Sequence, residues 1–211
     1  MKRMLLGALA IAALTFTACN NNSSNASHES HDTLASHDEH AGHDHAAAKD
    51  ESVAEIKPSF TNVDPAVAAS FKALAAQYLQ LKNNLTEDNT AGAAKSGEAM
   101  AGVLASINKS AMTAEQQKLY AENEDDLREH AEHIGKNNGN IAHQREHFAQ
   151  MSEDMYALVK AFGAGQPLYH DHCPMYDDNK GAMWLSETQE VKNPYFGQKM
   201  AGCGAVKEII K

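Results

Sequence analysis

The run Tyr169-His170-Asp171-His172-Cys173-Pro174-Met175 places two imidazoles, a thiol and a thioether within six residues, and Pro174 keeps it from continuing as a helix. Further along the chain, Met183-Trp184 and Met200-Ala201-Gly202-Cys203-Gly204 add more sulfur and an indole. Thiolate and thioether donors select soft ions such as Cu(I) or Ag(I), whereas zinc is ordinarily held by four Cys or His ligands. Two Cys and two Met therefore fit copper(I) better than zinc. The same two thiols have a second reading, a disulfide closing the 31 residues from 173 to 203 and contributing ~3–4 kcal/mol. Trp184 has two fates as well, filling a core or lying over a bound cation.

A second concentration of ligands lies near the start of the chain. His28, His31, His37, His40, His43 and His45 alternate with Glu29, Asp32, Asp38, Glu39 and Asp44, so that six of the 12 histidines fall within 18 residues. Imidazole is the commonest side-chain ligand for Zn, Cu(II) and Ni, and neighbouring carboxylates attract a dication. A flexible segment must lose conformational entropy to wrap an ion, so capture here is expected to be weak and unselective. The alternative is a solvated spacer that happens to be rich in His and Asp.

A third group sits on two segments of helical period. His130 and His133 are spaced i,i+3, His143 and His147 i,i+4, and the turn between them is centred near Asn138. In an antiparallel helical hairpin, residues equidistant from the turn face one another, pairing His133 with His143 and His130 with His147. All four flank the apolar stripes, with His133 and His143 further outward. His133 and His147 are the first candidates for metal ligation, although Glu129, Glu132 and Glu146 would satisfy structural histidines equally well.

The elements that must carry these groups are mostly helical. Asp64-Pro65 is an N-cap with proline at the first helical position, and Val67, Phe71, Leu74, Tyr78 and Leu81 follow at spacings of three and four. Thr90 to about Asn108 predicts a second, alanine-rich helix, weakened by Gly92, Gly97 and Gly102 at up to ~1 kcal/mol each. Thr113-Ala114-Glu115-Gln116 matches a capping box and opens a third helix that runs to the turn at 135–140. A fourth runs from Ile141 to Phe162 and stops at Gly163. The expected fold is all-α, an up-down-up-down four-helix bundle with an irregular Cys/Met-rich C-terminal segment packed on it.

The beginning of the chain predicts where this domain works. Met1 to Arg3 are basic, Leu5 to Leu14 apolar over about half the ~20 residues of a membrane span, and Phe16-Thr17-Ala18-Cys19 reads as a lipobox. Residues 1–18 are then a lipoprotein signal peptide, Cys19 carries lipid, 19–57 form a disordered His/Asp-rich linker, and 58–211 form the helical domain. With Cys19 acylated, Cys173 and Cys203 are the remaining cysteines in an oxidising periplasm, anchored to a bacterial membrane. The formal charge of −10 argues against a nucleic-acid partner and suits cations.

Several runs carry a resemblance. Cys173-Pro174-Met175, Gly181-Ala182-Met183-Trp184-Leu185-Ser186, Asn193-Pro194-Tyr195-Phe196-Gly197 and Lys199-Met200-Ala201-Gly202-Cys203-Gly204, preceded by Gln144-Arg145-Glu146-His147-Phe148, resemble a family of Gram-negative periplasmic domains of unknown function. Its members occur as free lipoproteins and fused to the periplasmic adaptor proteins of copper and silver efflux pumps. The resemblance implies copper or heavy-metal handling, with Cys173, Met175, Met200 and Cys203 at the positions of the family motif and His133 and His147 at positions where the family carries histidine.

An enzyme is the weaker reading, since no strand–turn–helix nucleophile motif, Gly-rich loop or redox Cys-x-x-Cys appears. The expected function is a periplasmic lipoprotein that binds copper(I), or else silver(I) or zinc, for buffering or handover to efflux. The alternative is a disulfide-stapled module that docks on a heavy-metal efflux adaptor.

Overall fold

The computed structural model describes residues 53–211. The expected signal peptide at 1–18, Cys19 and the six histidines His28 to His45 of the expected linker lie outside the described residues. The order of elements is β1 (Ala54–Ile56), α1 (Pro65–Thr86), α2 (Thr90–Ser106), a 3-10 turn (Lys109–Ala111), α3 (Ala114–Lys136), α4 (Ile141–Phe162), β2 (Leu168–Cys173), a single turn α5 (Tyr176–Asn179), β3 (Ala182–Ser186), a second 3-10 turn (Gly197–Met200) and β4 (Ala205–Ile210).

Each long helix starts on a side-chain cap. Asp64 accepts from the Ala66 N–H at 2.8 Å ahead of Pro65, Asn89 accepts from Gly92, Thr113 and Gln116 complete a capping box, and Asn140 accepts from His143. Gly163, at φ 79°, ends α4 in a conformation that side chains resist. The apolar stripes converge on one core, in which Phe71 stacks on Phe162 with ring centroids 3.9 Å apart and Tyr78 stacks on Phe148 at 5.1 Å. Gly97 sets the spacing of α2 and α3, because a Cβ there would stand 2.7 Å from the Ala131 carbonyl oxygen.

The C-terminal segment beyond α4 corrects the expectation of an all-α fold. Expected to be irregular, it builds a four-stranded mixed sheet in the order β1-β4-β2-β3, with β1 parallel to β4 and the other pairs antiparallel. β1 comes from the stretch expected to be linker, and its Ile56 pairs with Ile210. The four long helices therefore do not close a bundle on themselves. β3 covers α4 and α1, and Trp184 and Leu185 bury fully in the shared core. The Tyr78 hydroxyl pins the layers together, accepting from the Leu185 N–H at 3.1 Å and bonding Ser152 Oγ on α4 at 2.8 Å. Backbone groups that an irregular tail would leave unpaired are thereby satisfied in the ladder, which is the physical reason a sheet forms. Pro174 ends β2, since it has no N–H for a ladder. The connection to β3 passes through Asp177, Asp178 and Asn179, three consecutive residues at φ 49°, 54° and 68°.

Candidate metal centre

The α3–α4 hairpin brings all four of its histidines together. Ring centroids of His133 and His147 lie 4.4 Å apart, those of His143 and His147 4.5 Å, and those of His130 and His147 5.2 Å. His133, His143 and His147 each offer a nitrogen, and these three atoms lie within 4.8 Å of one another. With metal–nitrogen bonds of about 2.0–2.1 Å, small rotamer adjustments would bring three such atoms around one ion. His147 is the hub. Its Nδ1 lies 3.0 Å from His130 Nδ1 and its Nε2 lies 3.2 Å from His143 Nε2.

Carboxylates surround the imidazoles without filling the centre. Glu146 Oε2 is 3.2 Å from His143 Nδ1, and Glu129 Oε1 is 3.9 Å from His133 Nε2. This is the outer arrangement of many metal sites, where a carboxylate holds one ring nitrogen so that the other presents its lone pair. Burial, followed by the nearby His133, His143 and His130, holds His147 down at about pKa 4, so it is neutral and able to ligate at neutral pH. Burial also lowers His130.

Reading the sequence placed His133 opposite His143 and His130 opposite His147. The structure sets His130 against His147, while the ring nearest to His133 is that of His147. His143, expected to point outward, joins the converging trio. Its i,i+3 spacing to Glu146 was the available signal, because a carboxylate one turn on can grip the ring.

The sulfur groups form the second donor set expected from the sequence. Cys173 closes β2 in full burial, Cys203 is half-buried, and the two free thiols have Sγ atoms 2.6 Å apart. Burial and the Cys173 thiol push the Cys203 thiol up to about 11. Met175 and Met200 are both exposed, Met175 immediately before α5 and Met200 three residues before Cys203, whose N–H donates to the Met200 carbonyl. Met183 is buried on β3. His170 is engaged elsewhere, with Nδ1 3.1 Å from Glu208 Oε1 and its ring against Tyr156, and burial followed by His172 lowers it to about 4.

Sequence reasoning passed over Asp171. It is fully buried on β2 directly across from Trp184, and both of its carboxylate oxygens and the Trp184 Nε1 are without hydrogen-bond partners among the described residues. Burial raises it to about 7, against the opposing pull of Lys82. Its position two residues before Cys173 gives it the same inward face, which a period-two pattern would have revealed had this segment been read as a strand.

A cleft of about 330 Å³ is lined by Glu146, Ala149, Gln150, Tyr176 and Asp177. Glu146, which grips His143, thus also faces the turn that follows Cys173-Pro174-Met175. No curated protein and no solved structure matches the chain. Residues 74–167, which hold most of α1, all of α2 to α4 and the four clustered histidines but stop one residue short of β2, match a family described as "Protein of unknown function (DUF3347)".

Proposed function

We propose that this protein binds a transition-metal ion as cargo, copper or a related soft metal, for buffering or for handover to an export system. The convergence of His133, His143 and His147 nitrogens within 4.8 Å carries the reading. Three imidazole nitrogens suit Zn(II), Cu(II) and similar ions. His147 is a neutral imidazole at neutral pH, so no imidazolium charge there opposes the ion. Cys173, Cys203, Met175 and Met200 supply the softer donors for copper(I) or silver(I). Lipid anchoring through Cys19, periplasmic location and a heavy-metal efflux adaptor as recipient complete the proposal. Weak capture by His28, His31, His37, His40, His43 and His45 would raise the local ion concentration. None of these roles involves catalysis.

The test is calorimetric titration of Zn(II) and, anaerobically, Cu(I) into the full chain with those six histidines replaced by Gln. One tight equivalent of Zn(II) that His133→Ala and His147→Ala abolish, and Cu(I) uptake that Cys173→Ser and Cys203→Ser abolish, are expected. Absence of tight binding of either ion would overturn the proposal. A second reading is favoured by the thiol pair alone: with the Sγ atoms 2.6 Å apart and Cys173 buried, the cysteines serve as a staple between β2 and the loop before β4, in a module that docks on an efflux adaptor. Free-thiol counting on the purified chain separates the two.

A further inference from the structure

Three of the four histidines, with Glu146, form a directed hydrogen-bond chain whose polarity can be worked out from one end. Glu146 Oε2, an acceptor, lies 3.2 Å from His143 Nδ1, so that nitrogen carries the hydrogen. To serve as a ligand His143 must carry a single ring proton, which leaves its lone pair at Nε2. His147 Nε2, 3.2 Å away, must be the donor to it, which leaves His147 Nδ1 as an acceptor. The hydrogen between His147 Nδ1 and His130 Nδ1, 3.0 Å apart, therefore sits on His130. Without metal, the chain runs His130 to His147 to His143 to Glu146.

An ion seated between the facing Nε2 atoms of His143 and His147 needs lone pairs on both, and the metal-free chain presents only that of His143. His143 is already in the right tautomer; His147 is in the wrong one. We infer that His130 is a positioning residue which lets His147 change tautomer, so that metal uptake reverses the direction of the His130–His147 hydrogen bond. This rests on the proposed metal-binding function. The protons balance: the Nε2 proton of His147 leaves to solvent, the Nδ1 proton of His130 passes to His147 Nδ1, and solvent returns one proton to His130 Nε2. Net protonation is unchanged. In the loaded state His147 Nδ1 donates to His130 Nδ1, as an outer-shell acceptor requires, and His130 stays off the ion.

The geometry also separates His147 from its neighbours. His143 is held by a carboxylate, whereas His147 is held by an imidazole that accepts or donates with equal ease. Only the second kind of partner permits a reversal. A carboxylate in place of His130 would lock His147 with Nδ1 protonated at all times.

Long-range 1H–15N NMR of the histidine rings reads the tautomers directly, in the full chain with the six N-terminal histidines replaced by Gln, before and after one equivalent of Zn(II). The expected metal-free state has His130 protonated at Nδ1, His147 at Nε2 and His143 at Nδ1. With zinc, His147 becomes Nδ1-protonated and His130 Nε2-protonated, and the signature of a metal-bound ring nitrogen appears on His143 and His147, whereas the nitrogens of His130 only exchange their protonated and lone-pair positions. His130→Ala should weaken Zn(II) binding about 10–100-fold with stoichiometry unchanged, and His130→Asn, whose side-chain oxygen accepts from His147 Nδ1, should restore most of it. A metal-bound nitrogen on His130, or identical tautomers in both states, would overturn the inference while leaving metal binding intact. Failure to take up zinc at all would overturn the functional proposal and this inference together.

Discussion

The histidine seam and the β2–β3 sheet respond to protons in opposite directions. In the seam, burial and three neighbouring rings hold His147 at about 4, below its ordinary 6.5, so the folded chain resists a proton that the unfolded chain accepts. Stability from this group is complete above 6.5 and is lost as pH falls toward 4. In the sheet, burial holds Asp171 protonated up to about 7 against an ordinary 3.8, so between those values the folded chain binds the extra proton. Its contribution falls as pH rises from 3.8 toward 7. In the seam, half-exposed imidazoles converge on one another, the arrangement from which the proposed cation site is read. A sealed carboxylate beside an indole belongs to a packed interior.

The largest effect that would sharpen this contrast is on the sheet side. Trp184→Ala should cost about 3–5 kcal/mol of stability by urea denaturation, because the indole is fully buried and touches both the sheet and Tyr195. On the seam side, His147→Ala should weaken Zn(II) by more than about 100-fold, beyond the loss of an outer-shell partner, and change metal-free stability by less than about 1 kcal/mol. If His147→Ala unfolds the chain instead, the seam is core and the contrast fails. Asp171→Asn should flatten the fall in stability between pH 4 and 7 and leave the variant more stable than the parent above pH 7, measured as urea midpoints across that range. A steeper fall in the variant would mean that the carboxylate has a stabilising partner. The smallest effect is that of Glu146→Gln, which should weaken Zn(II) about 10-fold by loosening His143.

These two regions also differ in how far they could be read from the chain. The helices announce themselves through caps and periodicity: Asp64-Pro65, the Thr113–Gln116 box and the Ile141-to-Gly163 limits all coincide with observed ends. Because the turn at 135–140 is short, equidistance alone brought the four histidines into one neighbourhood. It could not supply rotamers, and so it left His143 facing outward and the hub role of His147 unseen. The sheet was hidden for a different reason. Leu168–Cys173, Ala182–Ser186 and Ala205–Ile210 are runs of six, five and six residues, too short for a period to stand out, and their pairing joins residues far apart in sequence. The fourth strand comes from the opposite end of the domain and contributes three residues. Asp171 was missed with them, since a buried carboxylate is visible only once its strand face is known.

The pairing of β1 with β4 has an architectural consequence. Ile56 lies beside Ile210, the Lys211 N–H donates to the Ile56 carbonyl at 2.9 Å, and the Lys211 ammonium meets Glu55 at 2.7 Å. Because the two strands are parallel, the thread enters at one end of a three-residue ladder and leaves at the other, a separation of about 10 Å. A unit whose first and last strands lie side by side in this way can be spliced into a surface loop of an unrelated host without being pulled apart. Grafted in this way, it would behave as a cassette that keeps its own hydrogen-bonded seam closed while the host supplies the tether.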